Sequence, residues 1–378
     1  MNMNNDPLLP VPVTAPAAQH ANRSFQGIPG FTIAPGGRFF ACWYGGGKGE
    51  GPDNFVLVKT SADQGRTWQG PIAVVDPPGA NIRAFDPALW TDPDGRVWLF
   101  WAQSFSPGVG TIADGVNGVW GSRLDQPDDD FSGWSAPVRI HDGIMLNKPT
   151  VLPDNTWAFP VSIWAPGVGG GNPPPRLLPE VGAGLVATRD HARTFSRRGG
   201  FHLDQSIFDE HHIVALRDGR LWALVRTQYG IGQAFSLDGG VTWADAGPAA
   251  IAGPNSRFFL TRLRSGRLLL VNHRPPPNPN QDKTKTIWKT RSHLAAYLSE
   301  DDGATWIGDL LLDERSPISY PDGCQDRDGH IWIIYDHDRY GKGDILLTSF
   351  TEEDILAEQA TGRQPPRHQL VDHLERQS

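Results

Sequence analysis

Cysteine is nearly absent from this chain, with two in 378 residues. Cys42 and Cys324 are too few to staple a fold of this length, and their spacing fits no metal site. Free cysteines of this kind are usually buried, and both are expected as buried thiols. Basic runs are also missing. With 34 Lys and Arg against 42 Asp and Glu, the net charge is −8, which argues against nucleic acid and anionic membrane as partners. No apolar run is long enough to cross a bilayer. The first residues, Met1 to about Ser24, have neither a basic start nor an apolar core, so no secretory leader is expected and the cytoplasm is the simplest compartment. No His/Cys spacing suits zinc, and adjacent His211 and His212 would point to opposite faces of a strand. The acidic triplet Asp128–Asp130 reads as a solvated turn or a structural calcium site; no metal or other cofactor is expected at the functional site. The Gly-rich segment Trp43–Asn54 has no Gly-Lys-Ser/Thr and no following helix, which argues against a phosphate loop. A mobile polar loop at a site mouth, carrying Glu50, Asp53 and Asn54, is the reading retained.

Turn formers and aromatics are plentiful instead: 43 Gly, 33 Pro and 14 Trp. One octapeptide recurs. Ser61–Trp68, Ser236–Trp243 and Ser299–Trp306 all read Ser-x-Asp-x-Gly-x-Thr-Trp, and Thr188–Phe195 is a degraded copy. The Asp can accept from backbone N–H groups bared by a tight turn. The Gly supplies a positive φ. The Thr and the aromatic begin a returning strand. Further hairpin signals fall between apolar runs at Gly36-Gly37-Arg38, Asp94-Gly95-Arg96, Asp218-Gly219-Arg220, Ser265-Gly266-Arg267 and Asp328-Gly329-His330. Box separations of 48 and 63 residues, and of 127 for two units, fit four-stranded sheets repeated about an axis. The expected fold is all-β, a β-propeller.

Taken in order, the chain divides into an N-terminal segment (1–24), six units (25–355) and a C-terminal tail (356–378). Leu8–Val13 is expected to add a strand to the last sheet and close the ring. Ala165–Pro179 and the Pro/Asn/Lys-rich stretch from Arg274 to Lys289 read as loops inside the third and fifth units. Thr351–Asp354 reads as a capping box opening a short helix, and the chain from about Thr361 as loosely held.

Polar residues gather at the ends of apolar strands: Arg83, Asp86, Asn147, Lys148, Asp209, Glu210, His212, Arg226, Arg257 and Tyr320. In a propeller such positions meet at one mouth of the axial channel, and this mixture suits a small polar, anionic ligand. From Phe25 to about Asp354 the chain resembles the sialidases, which are six-bladed propellers with four-stranded antiparallel blades and Asp-box repeats. On that resemblance Glu210 and Tyr320 form the nucleophilic pair and Arg226 and Arg291 hold a carboxylate. Asp336 lies on the acidic strand near the end of the fold, and the general acid lies in the loop carrying Glu50 and Asp53. One departure stands out. The family's Phe-Arg-Ile-Pro is Phe25-Gln26-Gly27-Ile28-Pro29 here. Gln26 can hydrogen-bond a carboxylate but cannot neutralise it, so Arg83 or Arg257 is expected to supply the missing charge.

The chemistry explains the combination. A carboxylate nucleophile would be repelled by an anionic sugar, whereas a neutral Tyr hydroxyl is not, and a Glu beside it can take its proton. Three readings follow. The first is an exo-acting hydrolase of a terminal acidic sugar in a small molecule or oligosaccharide. The second is a uronate-directed polysaccharide lyase with His212, His273 or Tyr320 as base. The third is a carbohydrate-binding propeller without turnover.

Overall fold

The computed structural model describes residues 9–79, 81–106, 108, 112–274, 291–361 and 367–375. Six sheets of four antiparallel strands make up the molecule. Blades 1 to 6 begin with the strands Phe25–Ile33, Ile82–Thr91, Thr150–Val151, His211–Ala215, Phe259–Arg262 and Ile318–Gln325. These first strands are innermost, and those of blades 1 and 2, 1 and 6, 4 and 5, and 5 and 6 touch around the axis.

Both faces of each sheet are covered by the adjacent blades, which is why so many strands read as unbroken apolar runs. Val97–Phe105 is buried except at its last residue. The core is therefore divided among the blade interfaces. Phe100 and Phe159 meet between blades 2 and 3, 5.7 Å apart. Phe39 meets Trp332 between blades 1 and 6, 4.8 Å apart. That last contact closes the ring.

The octapeptides join third to fourth strands. Asp63 Oδ1 accepts the Thr67 backbone N–H at 2.9 Å, and Oδ2 the Thr67 hydroxyl at 2.6 Å. Asp190, Asp238 and Asp301 make the same pair of bonds with Thr194, Thr242 and Thr305. These donors, the Thr67 hydroxyl first, bring the Asp63 carboxyl down to about 2. In the degraded copy Ala192 takes the place of the glycine and still has φ +66°. The hairpins between first and second strands also turn on one residue of positive φ: Gly37, Gly95, Gly219, Gly266 and Gly329, with Asn155 standing in on blade 3.

Two expectations about the termini are corrected. The N-terminal segment pairs with blade 1, not with the last sheet: Thr14 and Val74 exchange backbone hydrogen bonds of 2.9 Å. Leu8 lies outside the described residues. The fourth strand of blade 6 is Gln369–Asp372, from the segment read as a loose tail. The helix Glu352–Thr361, opened by reciprocal Thr351–Asp354 hydrogen bonds, leads the chain toward it. Asp372 then binds Arg23 at 2.9 Å and Lys59 at 3.2 Å, latching blade 6 to blade 1. Cys42 is buried as expected, whereas Cys324 is only half-buried.

Candidate active site

Strand direction decides what each end of the ring carries. First strands run away from one face, so the octapeptides and the glycine hairpins all lie at the far face. The near face receives the starts of first strands, the ends of second strands and the loops that follow them. A cleft of about 280 Å³ opens there.

Three blades deliver side chains into the cleft by the same device. The first strands of blades 1, 2 and 6 slip register between Gly27 and Gly30, Phe85 and Ala88, and Ser319 and Asp322. At each slip one residue takes a positive φ: Ile28 (+59°), Asp86 (+46°) and Tyr320 (+57°). A bulge re-aims a side chain and tolerates proline, and Pro29, Pro87 and Pro321 follow directly. All three bulged residues line the cleft. Such backbone costs on the order of 1–3 kcal/mol per residue, and this is held by the surrounding ring.

The catalytic candidates meet at Tyr320. Its Oη donates to Glu210 Oε1 at 3.2 Å and accepts from Arg226 Nη1 at 2.8 Å. Arg226 Nη1 also donates to Glu210 Oε1 at 2.7 Å. Strand pairing fixes this couple, because the Arg226 backbone N–H bonds the Glu210 carbonyl across the first and second strands of blade 4. Burial, with Glu210, raises the Tyr320 phenol above its ordinary value against the pull of Arg226 and Arg291. Burial would strip the proton from Arg226, but Glu210 and Tyr320 outweigh it and raise the guanidinium further.

Two more guanidinium groups flank the phenol ring, Arg291 at 5.5 Å and Arg339 at 4.4 Å. Arg291 is pulled down by burial, then by its cationic neighbours Arg226 and Arg339. Asn255 braces this side: its Oδ1 accepts Arg226 Nε at 2.7 Å and its carbonyl accepts Arg291 Nη2 at 3.0 Å.

Arg339 answers the missing arginine of blade 1. It comes from the loop after the second strand of blade 6 and is held by Asp336 Oδ2 at 3.0 Å and Ser319 Oγ at 2.6 Å. Asp336 Oδ2 also accepts the Ile28 N–H at 2.8 Å. At Gly27 a Cβ would come within 2.9 Å of Asp336 Oδ2 and 3.0 Å of Arg339 Cβ. The blade-1 position is thus bare because a blade-6 side chain fills its space.

Other expected site residues fall elsewhere. Gln26 is fully buried and engaged by Arg23, Trp43 and the Gly343 carbonyl, away from the cleft. Arg257 sits in the shaft of the ring, bonded to Asn147 Oδ1 at 2.7 Å and to the Leu146 and Pro29 carbonyls, with Asp322 at 3.4 Å. It holds blades together, and Asn147 with it. Arg83 lies behind the wall, 4.1 Å from the Phe85 ring. Neither Arg83 nor Arg257 therefore replaces the missing charge. Lys148 pairs with Asp322 and lines a separate cavity with His212, toward the opposite mouth. His212 Nε2 donates to the Phe258 carbonyl at 2.9 Å, and burial, then Arg257, lowers the imidazole to about 3. Glu50 and Asp86 line the cleft; Asp53 is exposed and does not. Apart from Asp338, whose Oδ2 accepts the Lys342 N–H at 3.0 Å, the remaining wall is mostly apolar, with Trp164 and Phe208 packed edge to face at 5.1 Å.

Sequence reading missed Arg339 and Asn255. A signal existed for the bulges, in the repeated Ile28-Pro29, Asp86-Pro87 and Tyr320-Pro321 pairs. None existed for the approach of Arg339 to Gly27 of blade 1, which comes only with ring closure.

Among known proteins, the BNR repeat-like domain family model matches residues 37–333. No curated protein sequence is significantly similar. Among solved structures, the Hadza microbial sialidase Hz136 superposes with a TM-score of 0.66 at 17% identity, covering 88% of this chain and 66% of that one. This chain therefore spans just under two thirds of that protein. The NanB sialidase from Streptococcus pneumoniae gives 0.64 at 12%, covering 92% and 71%. The intramolecular trans-sialidase from Ruminococcus gnavus gives 0.65 at 13%, covering 92% and 98%. At such identities the likeness is one of fold. With the family model spanning most of its length, the chain belongs to the BNR repeat-like domain family, as a divergent six-bladed propeller of the sialidase fold.

Proposed function

We propose that the protein is an exo-acting glycoside hydrolase that removes a terminal acidic sugar, a sialic acid or a relative with a carboxylate on its anomeric carbon. The observation that carries this reading is the Tyr320 hydroxyl, bonded at once to Glu210 and Arg226 with Arg291 and Arg339 beside its ring. Three guanidinium groups around one phenol favour a ligand carboxylate next to the reacting carbon, through charge-assisted hydrogen bonds. In that field a carboxylate nucleophile would meet the ligand's like charge, and a phenol would not. Glu210 Oε1 receives the phenol proton as the oxygen attacks, and Oε2, buried without a partner in the resting site, is free to respond.

The lyase reading loses two of its bases. His212 faces away from the cleft, and His273 is buried with its Nδ1 on the Ser292 carbonyl. Only Tyr320 remains for it. Hydrolysis of a fluorogenic sialoside by the wild-type protein and by Tyr320→Phe tests the proposal. Wild-type turnover that the variant lacks supports it. A product absorbing in the near ultraviolet through a new double bond identifies a lyase. Glycan binding without turnover, unchanged in Glu210→Gln, identifies a binding protein.

A further inference from the structure

The phenol, the glutamate and the guanidinium groups leave one task unassigned. The departing alcohol needs a proton, and a group that supplies it must face the cleft and hold that proton at working pH. Asp53 is exposed outside the cleft. Glu50 lines it, but Arg339 Nη1 stands 3.9 Å from its Oε1. That contact commits Glu50 to Arg339.

Asp86 differs from both. It occupies on blade 2 the bulge position that Tyr320 occupies on blade 6, so the same backbone device aims both at the cleft from either side of Ile28. It is 6% exposed. Among the described residues its carboxyl makes no hydrogen bond and no ion pair. The side chain is therefore buried, aimed into the cleft and uncommitted. The charged groups acting on it are Glu210 and Glu50 on one side of the balance, Arg83 and Arg257 on the other. Burial dominates and, with the two glutamates, raises the carboxyl to about 7.

We propose that Asp86 is the proton donor to the leaving oxygen, an inference that rests on the hydrolase reading above. In the first half-reaction Tyr320 Oη bonds the anomeric carbon as the glycosidic C–O bond breaks. The phenol proton passes to Glu210, and the Asp86 proton passes to the departing oxygen, which leaves as an alcohol. In the second half-reaction water bonds the anomeric carbon and gives a proton to the Asp86 carboxylate. The Tyr320–sugar bond breaks, and Glu210 returns its proton to the phenol. Both carboxyl groups end as they began.

The test compares two sialosides, one with lactose and one with 4-methylumbelliferone as leaving group. Umbelliferone departs readily without protonation, and lactose does not. Asp86→Asn is expected to lower kcat on the lactose substrate at least ~100-fold and on the aryl substrate less than ~5-fold, within the range of general-acid effects. Wild-type kcat/KM is expected to fall above about pH 7 for lactose alone, the pH set by Asp86. This profile serves even where Asp86→Asn fails to fold. An equal loss on both substrates, or the lactose-selective loss appearing in Glu50→Gln instead, overturns the proposal. A wild-type protein that cleaves neither substrate overturns the hydrolase reading and this one with it. Cleavage of both, abolished by Tyr320→Phe but insensitive to Asp86→Asn, overturns this one alone.

Discussion

The two faces of the ring are built from the same strands and differ in almost everything else. The far face is made of turns that repeat. Each octapeptide satisfies its own backbone through its own Asp, within eight residues. The near face is made of residues that do not repeat and are satisfied by distant parts of the chain. Arg226 and Tyr320 are 94 positions apart, and Ile28 and Asp336 are 308 apart. The far face carries stability in separable local units. The near face carries strain, buried charge and unpaired carboxyl groups, and depends on the ring to hold them.

Experiments that sharpen this contrast begin with the largest effect. Tyr320→Phe removes one oxygen from the near face, and is expected to cost about 10³-fold or more in turnover. Its melting temperature should stay within a few degrees of wild type in the same preparation. A large loss of stability together with activity would erase the division of labour. Arg339→Ala comes next. Removing one charged partner of a bound carboxylate costs about 2 kcal/mol or more, so KM for a sialoside should rise about 30-fold or more. Arg83→Ala, behind the wall, should leave KM within a few-fold. The reverse ranking would return the missing charge to Arg83.

On the far face, Gly303→Ala should do the opposite of Tyr320→Phe. Gly303 has φ +90°, and a Cβ there would lie 2.3 Å from Trp222 Cζ3. A loss of about 1–3 kcal/mol in unfolding free energy is expected, measured by denaturant titration, with kcat/KM unchanged. A fall in kcat/KM would mean that the two faces are coupled. The smallest effect concerns Asp209 beside the site. Its carboxyl is 1% exposed with neither oxygen partnered, and burial raises it to about 6. A raised acid binds its proton more tightly when folded than when unfolded. Its burial is therefore harmless below its ordinary value of 3.8, and it costs stability as pH rises through about 6. Asp209→Asn should raise the melting temperature by a few degrees at pH 8 and little at pH 4. Equal gains at both pH values would remove the titration from the explanation.

Much of this architecture was legible from sequence because its causes are local. Asp63, Gly65 and Thr67 act within one turn, so their spacing alone announces the turn, and four such announcements give the period. Glu210 and Arg226 were legible for a related reason, since a short hairpin pairs them and the resemblance identified them. The errors came where locality ends. Leu8–Val13 and the tail both had the composition of loose ends, and nothing in either stretch names its partner strand. Lys148, His212 and Arg257 sit at strand ends like true cleft residues, but a strand has two ends and the ring has two mouths. Gln26 has the right place in the chain and the wrong direction in space.

By itself the sequence determined a ring of repeated sheets and the phenol–carboxylate–guanidinium chemistry placed at strand ends, since turn residues and hairpin pairing act over a few positions. Only the tertiary structure decided which arginine completes the cluster, which mouth each polar residue faces and which carboxyl stands uncommitted. Ring closure brings blade 6 over Gly27 of blade 1, and a contact made across more than 300 residues leaves no periodic trace in the chain.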